Sequence, residues 1–566
     1  MNQPEQPALV EVERIKAASR RLRGTIADGL LDEATGALAD ADTQLTKYHG
    51  IYQQDDRDLR TERQQQRLEP AHSFMVRVRV PGGVCSAPQW LAMDRLAREH
   101  ANGTLRLTTR QAFQFHGVIK RRLKPTIAAI DAALLDTIAA CGDVNRNVMS
   151  SPNPEQSALH QDTWQVACRI SDRLTPRTRA YHEIWLDGEK LPDSGAEEEP
   201  LYGPTYLPRK FKIGVAVPPW NDVDVFTQDL GFIAISEQGR LAGFNVVVGG
   251  GMGATHGEPA TYPRLGDVVG FCTPEQAVQL AWHVVAIQRD FGDRSNRKHA
   301  RFKYTIADRG LAWFSAELAG RLGNALAPAR EFRFLATGDR YGWSKGLDGR
   351  WHLTLHAPSG RLADTPGHTL LSGMREIALL HGGRFRLTPN QNVIVAGVKE
   401  VEKDRLEAVA RRHGLLHDQL PSALRREALS CVALPTCALA MAEAERYLPE
   451  LAGKLEARLA TLDLLDEPIT LRVTGCPNGF ARPYVAEIAL VGKGPGRYNL
   501  FLGGGFSGER LNRLVLENVD EAAILAALEP LLAAYARDRT AGEHFGDFLH
   551  RSGRLAGTIE AERQQA

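Results

Sequence analysis

Apolar and polar residues alternate through FMVRVRV from Phe74 and through WHLTL from Trp351, the period-two pattern of strands with one buried face. Behind each strand comes a run with apolar residues at three-to-four spacing, WLAMDRLAREHANG from Trp90 and HTLLSGMREIALLHGG from His368, which predicts an amphipathic helix. Each helix leads into a second strand pattern, GTLRLTTRQAFQFHGV from Gly103 and GRFRLTPNQNVIVAGV from Gly383. Arg106, Leu107, Thr108, Gln111 and Gly117 recur as Arg386, Leu387, Thr388, Gln391 and Gly397, all 280 residues later. A second pair, GFNVVVGGGMG from Gly243 and RYNLFLGGGFS from Arg497, repeats 254 residues apart. Such self-similarity predicts a duplicated chain. Each half holds a small strand–helix–strand unit and a larger α/β unit, related by a pseudo-twofold axis.

The pattern also marks boundaries. Residues 1–69 have no sustained apolar face, and YHGIYQQDDRDLRTERQQQRLEP reads as an arm that wraps other parts. The expected units are the arm at 1–69, a first half-domain at 70–150 and a first α/β domain at 151–335. A second half-domain follows at 345–420 and a second α/β domain at 425–566. LPDSGAEEEPLYGP from Leu191 reads as a turn-rich loop, and a boundary is expected between Gly414 and Pro421. A closing helix from Glu521 to Arg537 should break or kink at Pro530, before the polar tail TIEAERQQA.

Composition narrows the class. The chain of 566 residues is 43% hydrophobic and 24% charged, as in ordinary globular proteins, and is long enough for several cores. A net charge of +1 gives no electrostatic case for nucleic-acid or membrane-surface binding. No 18-residue apolar run is present, and the N-terminal stretch lacks a secretory-type apolar core. Seven cysteines do not make a disulfide framework. A cytoplasmic protein with reduced thiols is expected.

Two groups of residues carry chemistry. Cys431 and Cys437 in SCVALPTC and Cys476 in TGCPNG lie within 46 residues of one another, next to turn-forming residues. Thiolates from two separated loops suit iron–sulfur ligation; zinc would accept them too, although the paired C-x-x-C knuckles of structural zinc are missing. Small buried cysteines are the plain alternative, and Cys85, Cys141, Cys168 and Cys272 are assigned to it. The second group is basic: Arg77, Arg79, Arg106, Arg110, Arg146, Arg209, Lys210 and Lys212. On strands, Arg77 with Arg79 and Lys210 with Lys212 would share faces and form a cationic surface for an anion. Lysine makes up only 14 of the 69 basic residues, so two within three positions stand out. Gly249, Gly250 and Gly251 offer main-chain N–H groups to an anion, a weak signal alone. Neither a G-x-G-x-x-G pattern nor a P-loop is present, so no nicotinamide or flavin domain is apparent.

Taken in order, LRGTIADGL, YHGIYQQDDRD, RLTTRQAFQFHG, DVNRNVMSSPNP, YLPRKFK, GFNVVVGGG, CVALPTCALAMAEAERYLP, TGCPNG, GPGRYNLFLGG and HFGDFLHRSG closely resemble the sirohaem- and 4Fe–4S-containing nitrite/sulfite reductase family, its assimilatory sulfite reductase haemoprotein subunits in particular. The resemblance covers nearly the whole chain. It implies an α/β (α+β) fold of duplicated ferredoxin-like units plus larger α/β domains, one sirohaem and one 4Fe–4S cluster. It also implies six-electron reduction of sulfite to sulfide, within cysteine biosynthesis. Electrons would come from a separate NADPH-oxidising flavoprotein (alpha) subunit in a hetero-oligomer, with a ferredoxin as the other candidate donor. By position, Arg77, Arg146, Lys210 and Lys212 match the residues around the substrate. Arg106, Arg110, Gln114 and His116 lie in the motif lining the sirohaem, and Cys431, Cys437 and Cys476 match three cluster ligands.

One position departs. The family pattern reads TGCPNGC where this chain reads TGCPNGF, so Phe480 stands in place of the fourth ligand, the thiolate that also bridges to the sirohaem iron. Three function classes therefore remain open: sulfite reduction with an altered cluster, nitrite reduction, and a sirohaem-binding pseudoenzyme that holds the flavoprotein without turnover.

Overall fold

The computed structural model describes residues 9–178 and 199–555 and, between them, the two-residue strands Trp185–Leu186 and Glu189–Lys190. Most of the loop read from Leu191 and the whole TIEAERQQA tail fall outside the described residues.

Two five-stranded antiparallel sheets carry the repeated strand–helix–strand patterns. In the first, His72–Val78, Phe113–Val118 and Leu105–Leu107 lie side by side; in the second, Trp351–Leu355, Val393–Val398 and Arg384–Leu387 take the same places. The halves then exchange edges. Val84–Ser86 of the first half pairs with Arg384–Arg386, and Arg361–Leu362 of the second pairs with Leu105–Arg106. This reciprocal swap makes the two sheets one body, and their apolar faces share a single core that includes Trp90, Phe113, Phe385 and Met374. The helices Ala87–Glu99 and Leu370–Leu380 cover it. A capping box of Ser86 and Gln89 starts the first of them.

The larger units repeat one another just as closely. Met149–Ser150, Ile213–Ala216 and Leu230–Glu237 run parallel, and Arg240–Val248 and Asp267–Cys272 follow antiparallel. Ala428–Ser430, Leu471–Thr474 and Ile488–Gly494, followed by Arg497–Leu502 and Arg513–Val519, reproduce that order. A duplicated mixed α/β architecture is thus the observed fold.

Three details differ from the sequence reading. The polar stretch around Tyr52 forms a strand, Ile51–Asp55, which extends the first sheet beside His72–Val78. The helix Glu521–Asp538 continues through Pro530. Ala526, whose carbonyl the proline leaves without its helical N–H, lies with Pro530 on the exposed face, open to solvent, while Ile524, Leu528, Leu532 and Tyr535 hold both turns on the core. The glycine run 249–251 is structural. The Gly249 and Gly251 N–H groups donate to the Asp229 and Arg264 carbonyls, and a Cβ at Gly250 would meet the Phe226 carbonyl oxygen at 2.2 Å.

One buried triad holds the halves together. The Asp224 carboxylate accepts Arg472 Nη1 at 2.7 Å and Arg482 Nε. Arg482 in turn donates to the carbonyls of Thr109 (3.0 Å) and Pro389 (3.2 Å), one in each copy of the repeated motif. Burial pushes the Asp224 carboxyl up, but Arg472 and Arg482 outweigh it and hold it below the usual carboxylate range. Asp224→Asn leaves two buried guanidiniums without their counter-charge and should lower stability by about 3–5 kcal/mol, read as earlier unfolding in urea. Because the folded pKa is depressed, the native contribution is present above the unfolded carboxylate pKa and disappears as pH falls through the folded one. The variant should accordingly lose part of the wild-type sensitivity to acid.

Candidate functional site

Cys431 directly follows the strand Ala428–Ser430, and Cys476 follows its parallel neighbour Leu471–Thr474 by two residues. Both thiols therefore sit beyond the carboxyl ends of adjacent parallel strands, the usual ligand edge of an α/β sheet. Cys437 joins them from the intervening loop, and the three thiols interact electrostatically. The Gly475 N–H donates to Cys431 Sγ at 3.3 Å, and Asn478 Nδ2 lies 3.5 Å from Cys476 Sγ. Burial pushes the Cys431 thiol up to about 12 and raises Cys437 as well, so thiolates here need a cationic centre beside them. Among the described residues no three Cys, His, Asp or Glu side chains converge on a single metal ion. A multinuclear cluster reaches thiols that are farther apart, and this donor set suits one, short of a fourth ligand.

The loop is clamped from the arm. The Arg57 N–H donates to the Pro435 carbonyl (3.2 Å), and its guanidinium donates to those of Cys437 (3.3 Å) and Ala440. Arg106 reaches the same loop from the first sheet, donating to the Ser430 carbonyl at 3.1 Å and pairing with Glu445 at 3.0 Å. Its charge is thus already met inside the protein.

The other basic residues gather close to one another in the interior, linked by the mutual influence of their charges; the site they form is termed the anion pocket. Arg110 is surrounded by acceptors without charge: the carbonyls of Asn147 (3.2 Å) and Ile213 (3.3 Å) and Gln228 Oε1 (2.5 Å). Arg146 is buried, and its Nε donates to the Gly142 carbonyl at 2.8 Å. Arg77 Nη1 lies 3.3 Å from Cys141 Sγ and Nη2 3.5 Å from Gln114 Oε1, while its Nε is buried without a partner. Burial and the charges of Arg301, Arg209 and Arg146 hold the Lys210 ammonium well below its ordinary pKa, opposed only by Asp229. Burial, Arg110, Lys210 and Arg301 do the same to Lys212. Asp229 is itself engaged by Arg301 at 2.9 Å. Asp143, which also acts on Arg146 and Arg209, is engaged by Arg297 at 2.7 Å. Basic groups thus outnumber carboxylates here and both carboxylates are already paired, an arrangement that suits an anionic ligand.

His116 is also buried, and neither ring nitrogen has a partner within the protein. Burial, Arg361, Arg106 and Arg77 keep it neutral, its pKa far below the usual value. Orphaned donors and uncompensated cations around Arg77, Gln114 and His116 fit a large group bearing carboxylates.

The sequence-derived set thus falls into three places. Arg77, Arg110, Arg146, Lys210, Lys212, Gln114 and His116 face the pocket, the three cysteines group beside it, and Arg106 lies between. Arg79 departs: its guanidinium turns to Asp136 (2.8 Å), Ser171 (3.0 Å) and Thr175 (2.7 Å), because the strand ends at Val78 and a carboxylate is in reach. For Lys210 and Lys212 the regular strand starts only at Ile213, yet the pair keeps its shared face on either side of Phe211, which bridges to Asn145. Cys141, assigned to the core, touches the pocket through Arg77. Sequence reasoning missed Tyr52, whose hydroxyl burial raises and Arg146 and Arg77 counter, and the Asp229–Arg301 pair. Tyr52 lies in YHGIYQQDDRD, which reads as arm and as part of the family resemblance but carries no site residue by itself, and the pair joins residues 72 positions apart.

Phe480 lies four residues beyond Cys476 and against one of the basic residues. It is 37% exposed, Lys210 Nζ stands 4.8 Å from its ring centroid, and Thr109 Oγ1 donates to its carbonyl at 3.1 Å.

A redox-type thiol group opening onto a pocket for a small anion, on a duplicated α/β frame, defines an anion-reducing metalloprotein. Residues 66–133 and 344–413 match the nitrite/sulfite reductase ferredoxin-like half domain, and 165–326 match the nitrite and sulphite reductase 4Fe-4S domain. The chain is 63% identical to the sulfite reductase (NADPH) hemoprotein beta-component of Myxococcus xanthus, over 97% of each chain. It is 58% identical to that of Geobacillus kaustophilus, over 96% of this chain and 95% of the other. Among solved structures, the Mycobacterium tuberculosis NirA protein shares the fold, with a TM-score of 0.79 at 24% identity over 96% of this chain and 97% of that one. The chain belongs to the nitrite and sulfite reductase family, in the group of hemoprotein beta-components. The domain match at 165–326 covers the first α/β copy; the three grouped cysteines lie in the second.

Proposed function

We propose that the chain is the sirohaem-binding subunit that reduces sulfite to sulfide with six electrons from a separate NADPH-oxidising flavoprotein, in the cytoplasm. The observation that carries this is the buried pocket of uncompensated cations next to the three thiols. Sulfite is compact and largely doubly charged near neutral pH, so it suits several convergent cations better than one. Arg77, Arg110, Gln114 and His116 would hold the carboxylate-bearing sirohaem, and Cys431, Cys437 and Cys476 the iron–sulfur cluster. Bound there, these groups supply the electrons and an iron site for the anion.

The protein's own residues do the rest. Arg146, Lys210 and Lys212, with Arg77 behind them, orient the anion and offset its charge. A lysine whose pKa is depressed by burial and like charges gives up its proton readily. An arriving anion restores the ammonium form, so Lys210 and Lys212 can hold a proton at Nζ while substrate is bound and release it to a departing oxygen. Arg106, held by Glu445 and Ser430, fixes the cysteine loop against the first sheet. No helix in the described residues is long and apolar enough to cross a membrane.

Sulfide release from sulfite, driven by NADPH and the flavoprotein together, tests the proposal. Neither component alone should support it. Turnover of nitrite without sulfite turnover, or of neither anion, would overturn the reading. A second expectation concerns the arm: Arg57→Ala frees two carbonyls of the cysteine loop, those of Cys437 and Ala440, so the protein should lose iron to a chelator several times faster than wild type. An unchanged rate of bleaching would show that the clamp does not support the cluster.

A further inference from the structure

We propose that Lys16, in the first arm helix Glu11–Ala18, is a positioning residue for the anion pocket, locking the segment that presents Arg209, Lys210 and Lys212 onto the loop that presents Arg146. The inference rests on reading that pocket as the sulfite site. Three consecutive carbonyls precede Arg209, and each is taken by a different cation. Arg294 Nη2 donates to Tyr206 at 2.6 Å, Lys16 Nζ to Leu207 at 2.8 Å, and Arg297 Nη1 to Pro208 at 3.4 Å.

Two carboxylates knit these cations together. Glu13 engages both Lys16 and Arg294, and Asp143 holds Arg297 through two bonds of 2.7 and 3.1 Å, with Lys16 Nζ at 3.9 Å. The Lys16 side chain is wholly buried at the centre. Asp143 also opens the loop that carries Arg146. Its carbonyl accepts the Leu207 N–H at 3.0 Å, that of Val144 accepts Phe211 at 3.0 Å, and the Arg146 N–H donates to the Phe211 carbonyl at 2.9 Å. The two segments are zipped over these three bonds, at the spot where both bring cations to one pocket.

Like charges in a buried site push apart. Without an anion, the permanently charged guanidiniums of Arg146 and Arg209, which together push the Lys210 pKa down, repel one another across the two segments, and the three backbone bonds share that load with the Lys16 network. The Lys16 network supplies opposing grip through the carbonyls before Arg209, and its Asp143 carboxylate also offsets the charges of Arg146 and Arg209. It keeps the pocket assembled before sulfite arrives, which favours tight binding. It also makes the arm, from outside the sheets, part of the anion site.

The test uses the full-length haemoprotein with Lys16→Met, Lys16→Arg and Arg294→Met. Sulfite affinity is measured by optical titration, and amide hydrogen exchange is followed at Arg146, Leu207 and Phe211. Lys16→Met should weaken sulfite binding by roughly 10-fold, the scale of two or so side chains that must be ordered anew when the anion binds. It should lower turnover at saturating sulfite much less and speed exchange at those three amides, with sirohaem content unchanged. Lys16→Arg should recover most of the affinity. Arg294→Met, at a partly exposed position, should move both readouts in the same direction to a smaller extent, and it decides the matter if Lys16→Met fails to fold. Wild-type affinity and wild-type exchange in a folded Lys16→Met or Arg294→Met protein would overturn the proposal. If the wild-type protein itself binds no sulfite, the pocket's assignment fails, and the exchange of the three amides alone judges the lock.

Discussion

Phe480→Cys should raise the bound iron and acid-labile sulfide to a full four-iron complement and speed sulfite reduction by roughly 10–100-fold or more, at least the effect of losing a mere supporting group around a metal. A four-iron cluster takes four thiolates, and three are grouped here. The family pattern TGCPNGC gives the fourth place to position 480. Gly479, with φ +64°, turns the chain after Cys476, and the Phe480 ring comes to lie against Lys210, at the mouth of the anion pocket. A benzyl group has no donor atom. It also fills more space than a thiol, a crowding of about 1–3 kcal/mol if cofactor or loop must shift. With Phe480 in place, a cluster held by Cys431, Cys437 and Cys476 would lack its fourth protein ligand and the thiolate that the family uses to bridge it to the sirohaem. Iron and sulfide analysis with electron paramagnetic resonance checks this. A complete cluster, magnetically coupled to sirohaem in the protein as it stands, would end this account of position 480.

Lys210→Met should depress turnover by about 10²–10⁴-fold, the range of a lost general acid. Binding of an inert anion such as phosphate should weaken far less, since Arg146 and Lys212 remain. The pH profile carries the sign. Burial and the neighbouring arginines depress the Lys210 pKa, so its proton is present at low pH and lost, as pH rises, well before that of a free lysine. Wild-type turnover should fall along that alkaline limb, and the variant should lose the contribution of Lys210 to it. Unchanged turnover together with unchanged sulfite affinity would remove Lys210 from the site.

Much of the frame was legible because the duplication shows in the sequence. Alternation at Phe74 and Trp351 and the repeated Arg-Leu-Thr motif mark corresponding strands, and the sheets place them alike. What stayed hidden has little local signal. Val84–Ser86 and Arg361–Leu362 are three and two residues long, too short to show a period, yet they knit the halves together. Ile51–Asp55 is a polar edge strand whose residues are mostly half-buried, so alternation is blurred. The site divides in the same way. Cysteines and a lysine pair in a lysine-poor chain are conspicuous in sequence. That Arg106 meets Glu445, Arg79 meets Asp136 and Asp229 meets Arg301 depends on segments brought together only by folding. Which cations stay uncompensated, and so available to an anion, is a property of the fold.

The central claim is a sirohaem whose iron lies in reach of an anion held by Arg146, Lys210 and Lys212. Optical titration of the purified protein with sulfite tests it most directly. The account predicts a sirohaem spectrum that shifts with sulfite and saturates, with the shift moved to higher sulfite concentration in the double variant Lys210→Met, Lys212→Met. A protein without sirohaem absorption, or one whose sirohaem spectrum is indifferent to sulfite, would contradict it.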